Sequence, residues 1–183
     1  MPRGKRNPVP AQLTIEYLRS VLDYDPETGI FIWKVNTSRK PMAGKVAGSV
    51  GKWGYRTIGI CNSGGVERCK VKAHRLAWFY VTGEWPDGDI DHKNLRRDDN
   101  RFENLRPATR PQNNINAVIH SNNSSGFKGV GWHKQIGRWR AYLTVNKRQR
   151  SLGLFDTKEE AAAARDRAEL AAYGEFSRVK IAC

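Results

Sequence analysis

The stretch HRLAWFYVTGEWPDGDIDHKNLRRDDNRFENLRPATRPQNNIN, residues 74–116, decides how this chain is read. It begins inside a helix predicted over Ala73 to Val81, where Leu76, Ala77 and Tyr80 recur at a spacing that puts them on one side. A turn-rich stretch from Gly83 to Asn104 follows and contains the adjacent pair Asp91-His92. Thr109-x-x-Gln112 is then a capping box that opens a second helix, expected to run to about Val118 with Asn113 in its first turn. An Asp-His pair on its own is usually a turn or cap; its meaning here depends on the blocks around it.

Working outward toward the N-terminus, Thr14 can cap a short helix with Ile15, Leu18 and Leu22 on one face. Asp25-Pro26-Glu27-Thr28-Gly29 reads as a turn into a strand, Ile30 to Val35. Strands over Trp53 to Ile60 and Val66 to Lys72 flank Asn62-Ser63-Gly64-Gly65, a hairpin signal. Residues 1–12 are basic and Pro-rich with no apolar run behind them, so a disordered arm is expected rather than a secretory leader.

Toward the C-terminus, residues 120–125 are small and polar enough for a linker, which divides a first domain at 13–119 from a second at 126–183. Three strand-like runs follow, Phe127 to Lys134, Arg138 to Val145 and Arg148 to Phe155, joined by short turns. Thr157-x-x-Glu160 is another capping box, starting an Ala-rich helix that Gly174 ends near Tyr173. The fold class is α+β, ending in a three-stranded antiparallel sheet packed on one helix.

Thirty-two Lys and Arg against 18 Asp and Glu give a net charge of +14 in 183 residues, so a polyanion is the leading partner. No apolar run of about 18 residues suggests a membrane span. Three cysteines, none in CxxC spacing, read as free cytosolic thiols rather than a zinc knuckle. The charge is uneven: residues 1–83 hold 14 basic and 5 acidic side chains, 84–120 hold 6 and 7, and 121–183 hold 12 and 6. A slightly acidic centre suits a bound cation, and basic flanks suit phosphate.

Four blocks in order, His74-Arg75-Leu76-Ala77-Trp78, Asp91-His92, Asp99-Asn100-Arg101-x-x-Asn104-Leu105-Arg106 and Gln112-Asn113-Asn114-x-Asn116, resemble the HNH endonucleases of phages and mobile introns. The resemblance runs from about Leu13 to Asn116 and implies a ββα-metal motif, two short strands and a helix. It implies Asp91 and Asn113 as ligands of Mg²⁺ or Mn²⁺, and His92 as the general base. Asn104 matches the middle Asn, whose family role is to tie the loop to the helix. Asn113 stands where the family name has a final His, which disfavours zinc. Because neighbours on a strand point to opposite faces, Asp91 and His92 require a twist or bulge to serve one site. His74 is assigned a structural hydrogen-bonding role, and Arg96, Arg97, Arg101 and Arg106 are expected on phosphates rather than bases.

The second domain alternates. Arg138, Arg140, Tyr142 and Thr144 fall on one side of their strand, opposite Trp139, Ala141, Leu143 and Val145. Gly126-Phe127-Lys128-Gly129-Val130, Trp139-Arg140-Ala141 and Leu152-Gly153-x-Phe155-Asp156-Thr157 resemble the Apetala-two-type domain of plant ethylene-response factors, which lays its sheet in the major groove. The resemblance implies a positive DNA-facing surface of Lys128, His133, Arg138, Arg140, Tyr142, Arg148 and Arg150, with Trp139 in the core.

The expected protein is a cytoplasmic, monomeric, metal-dependent endonuclease of phage-infected or bacterial cells. It acts on double-stranded DNA, with no membrane and no small-molecule substrate. The alternative is a DNA-binding regulator whose nuclease domain is degenerate. An RNA-binding role lacks an aromatic RNP or GXXG signature.

Overall fold

The computed structural model describes residues 13–36, 41–61, 68–115, 123–145 and 148–177. The expected arm at 1–12, the hairpin turn at 62–65, the helix beyond Ile115, Asn116, the first half of the linker (120–122) and the turn at 146–147 lie outside the described residues. Backbone contacts divide the chain into two units, Met1–Ala108 and Thr109–Cys183. The division falls ahead of the linker expected at 120–125.

In the first unit, α1 (Ile15–Val21) is capped by Thr14, whose hydroxyl accepts the Tyr17 N–H at 3.2 Å. Leu22, expected on this helix, instead begins β1 (Leu22–Asp25), which pairs antiparallel with β2 (Ile30–Trp33). The turn between them is organised by Asp25, whose carboxylate accepts Glu27 N–H at 2.9 Å and the Thr28 hydroxyl at 2.7 Å. Gly29 closes it at φ +73°, and a Cβ there would stand 2.4 Å from the backbone of Asn100 and Arg101. No side chain fits at that approach.

β3 (Ser49–Val50), β4 (Arg56–Cys61) and β5 (Arg68–Lys72) form an antiparallel sheet in the order β3-β4-β5. The strand expected from Trp53 starts only at Arg56, because residues 51–55 fold back as a turn. Gly51 N–H donates to Tyr55 O at 2.9 Å and Gly54 N–H to Gly51 O at 2.8 Å. α2 (Ala73–Thr82) follows β5 without a loop and stops at Gly83, which is left-handed and donates to Phe79 O. Leu18, Leu22, Phe31, Ile58, Ile60 and Leu76 are fully buried between these elements. Truncating one such side chain to Ala typically costs about 2–5 kcal/mol.

Arg75 carries this core's position on to the next element. From α2 its guanidinium donates to Gly88 O at 2.8 Å and Pro86 O at 3.0 Å, fixing the turn that leads into β6 (Asp89–His92). A 3₁₀ turn, Phe102–Asn104, leads into β7 (Leu105–Ala108), and β6 and β7 form a two-stranded antiparallel ribbon.

The second unit comprises α3 (Arg110–Ile115), β8 (Val130–His133), β9 (Arg138–Val145), β10 (Arg148–Phe155), α4 (Lys158–Tyr173) and a 3₁₀ turn, Gly174–Phe176. The end of α3 is held within this unit by Lys128, whose ammonium donates to Asn114 O at 2.7 Å and Ile115 O at 3.0 Å. A cation on the last carbonyls of a helix also complements its dipole. The sheet is antiparallel in the order β10-β9-β8. The capping box at α4 is complete, with Thr157 and Glu160 exchanging side-chain bonds to backbone N–H groups. Ala161 and Ala162 pack with Val130 and Ala141, with Phe127, Trp139, Leu152 and Phe155 around them. No helix among the described residues is long and apolar enough to cross a membrane.

Candidate active site

Asp91 and His92 end β6 side by side and both are buried, with 3% and 4% of their surfaces exposed. The bulge expected there is absent. Pairing is continuous, with Asp89, Ile90, Asp91 and His92 opposite Ala108, Pro107, Arg106 and Leu105. The two side chains therefore leave the strand on opposite faces, and a common partner would meet both only at the ribbon's edge or end.

Asp91 shares a face with its cross-strand partner Arg106. The Nε and Nη2 groups of Arg106 donate to Asp91 Oδ2 at 3.0 and 2.9 Å. A carboxylate this buried requires a cationic or hydrogen-bonding partner. Arg106, assigned to DNA phosphates from sequence, is thus engaged with the carboxylate assigned to metal.

The His92 ring lies between aromatic groups from two other segments. His74 on α2 stands edge-on to it, with centroids 4.9 Å apart and planes at 86°. Tyr55, in the turn just before β4, is 6.0 Å from His92 and 5.4 Å from His74. Burial pushes the His92 pKa below its usual value, opposed by the neighbouring Asn100 side chain and the Asp91 charge. Burial drives His74 further down in the same direction, and His92, Arg75 and Lys72 add to it. Two buried atoms, His92 Nε2 and Asn100 Oδ1, have no hydrogen-bond partner among the described residues. A ring nitrogen with no structural hydrogen bond is open to exchange a proton with a bound molecule.

The loop from Lys93 to Arg101 that carries Asn100 is tied down by Asn104. Its Oδ1 accepts Asn94 N–H at 3.0 Å, while its Nδ2 donates to Asn94 Oδ1 at 3.0 Å and to Asp99 O at 2.8 Å. These bonds close the loop on itself rather than on a helix. Leu95 takes φ +65°, sparsely populated for a bulky residue, with its N–H on His92 O at 2.9 Å. Arg101, also expected on phosphate, grips Asp99 through Nε and Nη2, both at 2.9 Å, and reaches Glu103 at 2.9 Å. Those bonds hold the Asp99 carboxyl down at about 2. From behind, Tyr24 donates its hydroxyl to Asn100 O at 2.7 Å and Pro26 O accepts Phe102 N–H at 3.0 Å.

Asn113 lies in the first turn of α3, its N–H on Thr109 O at 2.9 Å. Gln112 reaches back to Thr109, as a capping box does, accepting the Thr109 N–H at 2.8 Å and its hydroxyl at 2.7 Å. The described residues contain no cluster of three His, Cys, Asp or Glu side chains that could hold a metal unaided. The donors at β6 nonetheless suit a hard cation such as Mg²⁺, which keeps several waters and takes one or two carboxylates plus phosphate oxygens. Asp91 would supply the carboxylate, and Arg106, hydrogen-bonded to it, would then share it.

In the second unit, β9 alternates as expected: Ala141 and Leu143 are buried, and Arg138, Arg140 and Thr144 are exposed. His133 pairs with Arg138 and joins that outer face, where Arg140 lies 5.5 Å from the Tyr142 ring. Arg138 is also bridged to Asp156 at 2.7 Å. One expectation needs correction. Arg148 and Arg150 pair with Val145 and Leu143, so they share the α4 side of the sheet and not the face of Arg138 and Arg140. Alternation within one strand could not show this, because cross-strand register sets which parity of β10 is outward, and a shift between Ser151 and Gly153 changes that parity mid-strand.

Tyr55, Asn100 and Tyr24 were not singled out from sequence as members of the site. Tyr55 and Tyr24 are unremarkable in their own segments, and tertiary packing brings Tyr55 to His92 and Tyr24 to Asn100, which stood in a quoted block without a role at the site.

In comparison with known proteins, the HNH endonuclease family matches residues 71–115, a span from the end of β5 through α3. The chain is also 32% identical over 111 residues to Protein 3.8 of Escherichia phage T7, an alignment covering 60% of this chain and 90% of that protein.

Proposed function

This chain belongs to the family of phage T7 Protein 3.8 and carries an HNH endonuclease domain over residues 71–115, and from that premise we propose that it is a metal-dependent endonuclease of duplex DNA. The observation that carries the reading is the buried His92 imidazole beside Asp91, its Nε2 without a hydrogen-bond partner among the described residues.

In this reading His92 takes a proton from a water molecule as the water oxygen attacks phosphorus. The P–O3′ bond breaks, leaving, by the family resemblance, 5′-phosphate and 3′-hydroxyl ends. The lowered pKa keeps the ring uncharged near neutrality, the form able to accept that proton. His74 and Tyr55 pack the ring and limit its rotation, while Asn104 holds the loop that brings Asn100 beside it. Asp91 would hold Mg²⁺ or Mn²⁺, with Asn113 as second ligand on the strength of the resemblance alone. A cation so bound neutralises charge developing on the phosphate and the departing oxygen. Arg106, already on Asp91, would neutralise that carboxylate and offer a cation to a substrate phosphate beside it.

The C-terminal sheet is proposed as an Apetala-two-type DNA reader acting through His133, Arg138, Arg140 and Tyr142, which share an outer face. The cytoplasm of an infected or host cell, and a monomeric state, belong to the same proposal.

The test is supercoiled plasmid incubated with the full chain in Mg²⁺ or in EDTA. Wild type should relax or linearise the plasmid only with Mg²⁺, and His92→Ala should slow this by roughly 10² to 10⁴ with DNA affinity kept. Cleavage by the variant at the wild-type rate would remove His92 from the mechanism. A binding protein with a degenerate nuclease domain, the reading that the Arg106–Asp91 pair would favour, predicts no metal-dependent cutting at all.

A further inference from the structure

The turn at 51–55 raises Trp53 out of the fold, 68% exposed, more than any other large hydrophobic side chain among the described residues. A single exposed apolar residue is ordinary on a protein surface. The surroundings of this one are not those of a stray residue. Lys52 Nζ lies 5.4 Å from the indole centroid. Arg97, from the loop after β6, donates through Nη1 to Trp53 O at 3.0 Å, and its guanidinium sits 5.1 Å from the Tyr55 ring. Lys72 Nζ is 4.7 Å from the same ring. Tyr55 in turn meets His92, so Trp53 is joined to the candidate base through Arg97 and Tyr55 by direct contacts.

The local charge points one way. Residues 49–61 and 68–72 contain basic side chains and no acidic one. Exposed aromatic faces interleaved with cations are how proteins hold an unpaired nucleic-acid strand, with rings stacking on bases and cations following the phosphates. The turn is also fixed rather than loose, since Arg97 and the two backbone bonds at Gly51 and Gly54 hold it.

We propose that Trp53 is a stacking platform for an unpaired base of the substrate strand beside the scissile phosphate, with Lys52 and Arg97 against the flanking phosphates. The inference rests on the nuclease reading for the word substrate; the surface itself is read from its own contacts. Enzymes and architectural proteins that distort DNA meet the unstacking cost through such contacts, which makes a locally opened strand the preferred ligand over an intact duplex.

The experiment measures binding of fluorescent oligonucleotides to the full chain in EDTA, where no cutting occurs, using a perfect duplex, a duplex with an unpaired base and a single strand. Trp53→Ala should weaken binding to the last two by roughly 5- to 150-fold, the range known for losing one base–aromatic stack. Trp53→Phe should recover most of the loss. The slope of log affinity against log salt should stay unchanged in both, whereas Lys52→Ala should flatten it by about one. Affinities within twofold of wild type on all three ligands would overturn the proposal, as would a loss that Phe does not recover or one confined to perfect duplex. A plasmid assay on the same wild-type protein keeps the two readings apart. Metal-dependent cutting with no Trp53 effect sinks the platform alone, and a Trp53 effect without cutting sinks the nuclease alone.

Discussion

Replacing Asn104 should separate hydrogen bonding from bulk at the centre of the site. The side chain is 5% exposed and makes three bonds to the loop, accepting one N–H and donating twice. At about 1 kcal/mol net each, Asn104→Ala should cost roughly 3 kcal/mol, less whatever water recovers at the exposed Asn94. Asn104→Asp is nearly isosteric but should do no better at neutral pH. It keeps the acceptor for Asn94 N–H and turns the amide donor into an oxygen facing two other oxygens, Asn94 Oδ1 and Asp99 O. The introduced carboxyl would be easier to protonate folded than unfolded, because a protonated oxygen can donate again. Its deficit relative to wild type should therefore shrink as pH falls from neutrality through that raised folded pKa toward about 4, the unfolded value, and change no further below it. Urea denaturation followed by tryptophan fluorescence at pH 7 and at pH 4 measures both effects. An Ala variant within 0.5 kcal/mol (roughly the spread of neutral surface substitutions) of wild type, or an Asp variant fully stable at pH 7, would refute this account of the loop.

Three further outcomes are expected. Asp91→Ala should abolish cleavage and weaken Mn²⁺ binding by calorimetry, and it should also lower stability by about 3–5 kcal/mol because it strands the Arg106 guanidinium; Asp91→Ala combined with Arg106→Leu should regain much of that stability without regaining activity. Asp99 has a folded pKa of about 2 against a usual 3.8, so its stabilising contribution is complete above pH 3.8 and fades as pH falls toward 2; Asp99→Asn should flatten the acid limb of a stability–pH curve in that window and leave a constant deficit above it. Arg138→Ala with Arg140→Ala should lower affinity for both a selected site and random duplex and flatten the salt slope by about two; an unchanged slope would identify the outer face of β9 as ordinary solvated surface.

Elements announced by local chemistry were legible in the sequence. Gly83 stops α2, Thr157 and Glu160 start α4, and the alternation of Arg138 to Val145 sorts core from solvent, because each signal is contained within a few residues. The HNH family match over residues 71–115 was legible through the blocks around Asp91-His92, the candidate site. What the sequence did not disclose depends on partners distant along the chain. β3 is two residues long and exists only by pairing with Arg56 and Thr57. Of the twist or bulge expected at Asp91, the continuous pairing leaves no bulge, and the ribbon's edges allow regular pairing there. Arg101 and Arg106 read as phosphate ligands because a cation's sequence context says nothing of the carboxylate opposite it. The orientation of Arg148 and Arg150 is a matter of register, which no single strand encodes.

The approach of Gly29 to the backbone of Asn100 and Arg101 bears on modularity. Residues 71–115 are matched as a domain, yet the loop beside His92 is backed by Tyr24, Pro26 and Gly29, 42 to 47 residues upstream of where that match begins. The matched cassette is therefore not portable. Grafted into another scaffold without the first hairpin, it would keep Asp91 and His92 in covalent sequence and lose the wall that holds Asn100 against the imidazole. Among relatives that share the motif, the segment ahead of it should be free to change in every way except one: something must still press a bare stretch of backbone against that loop.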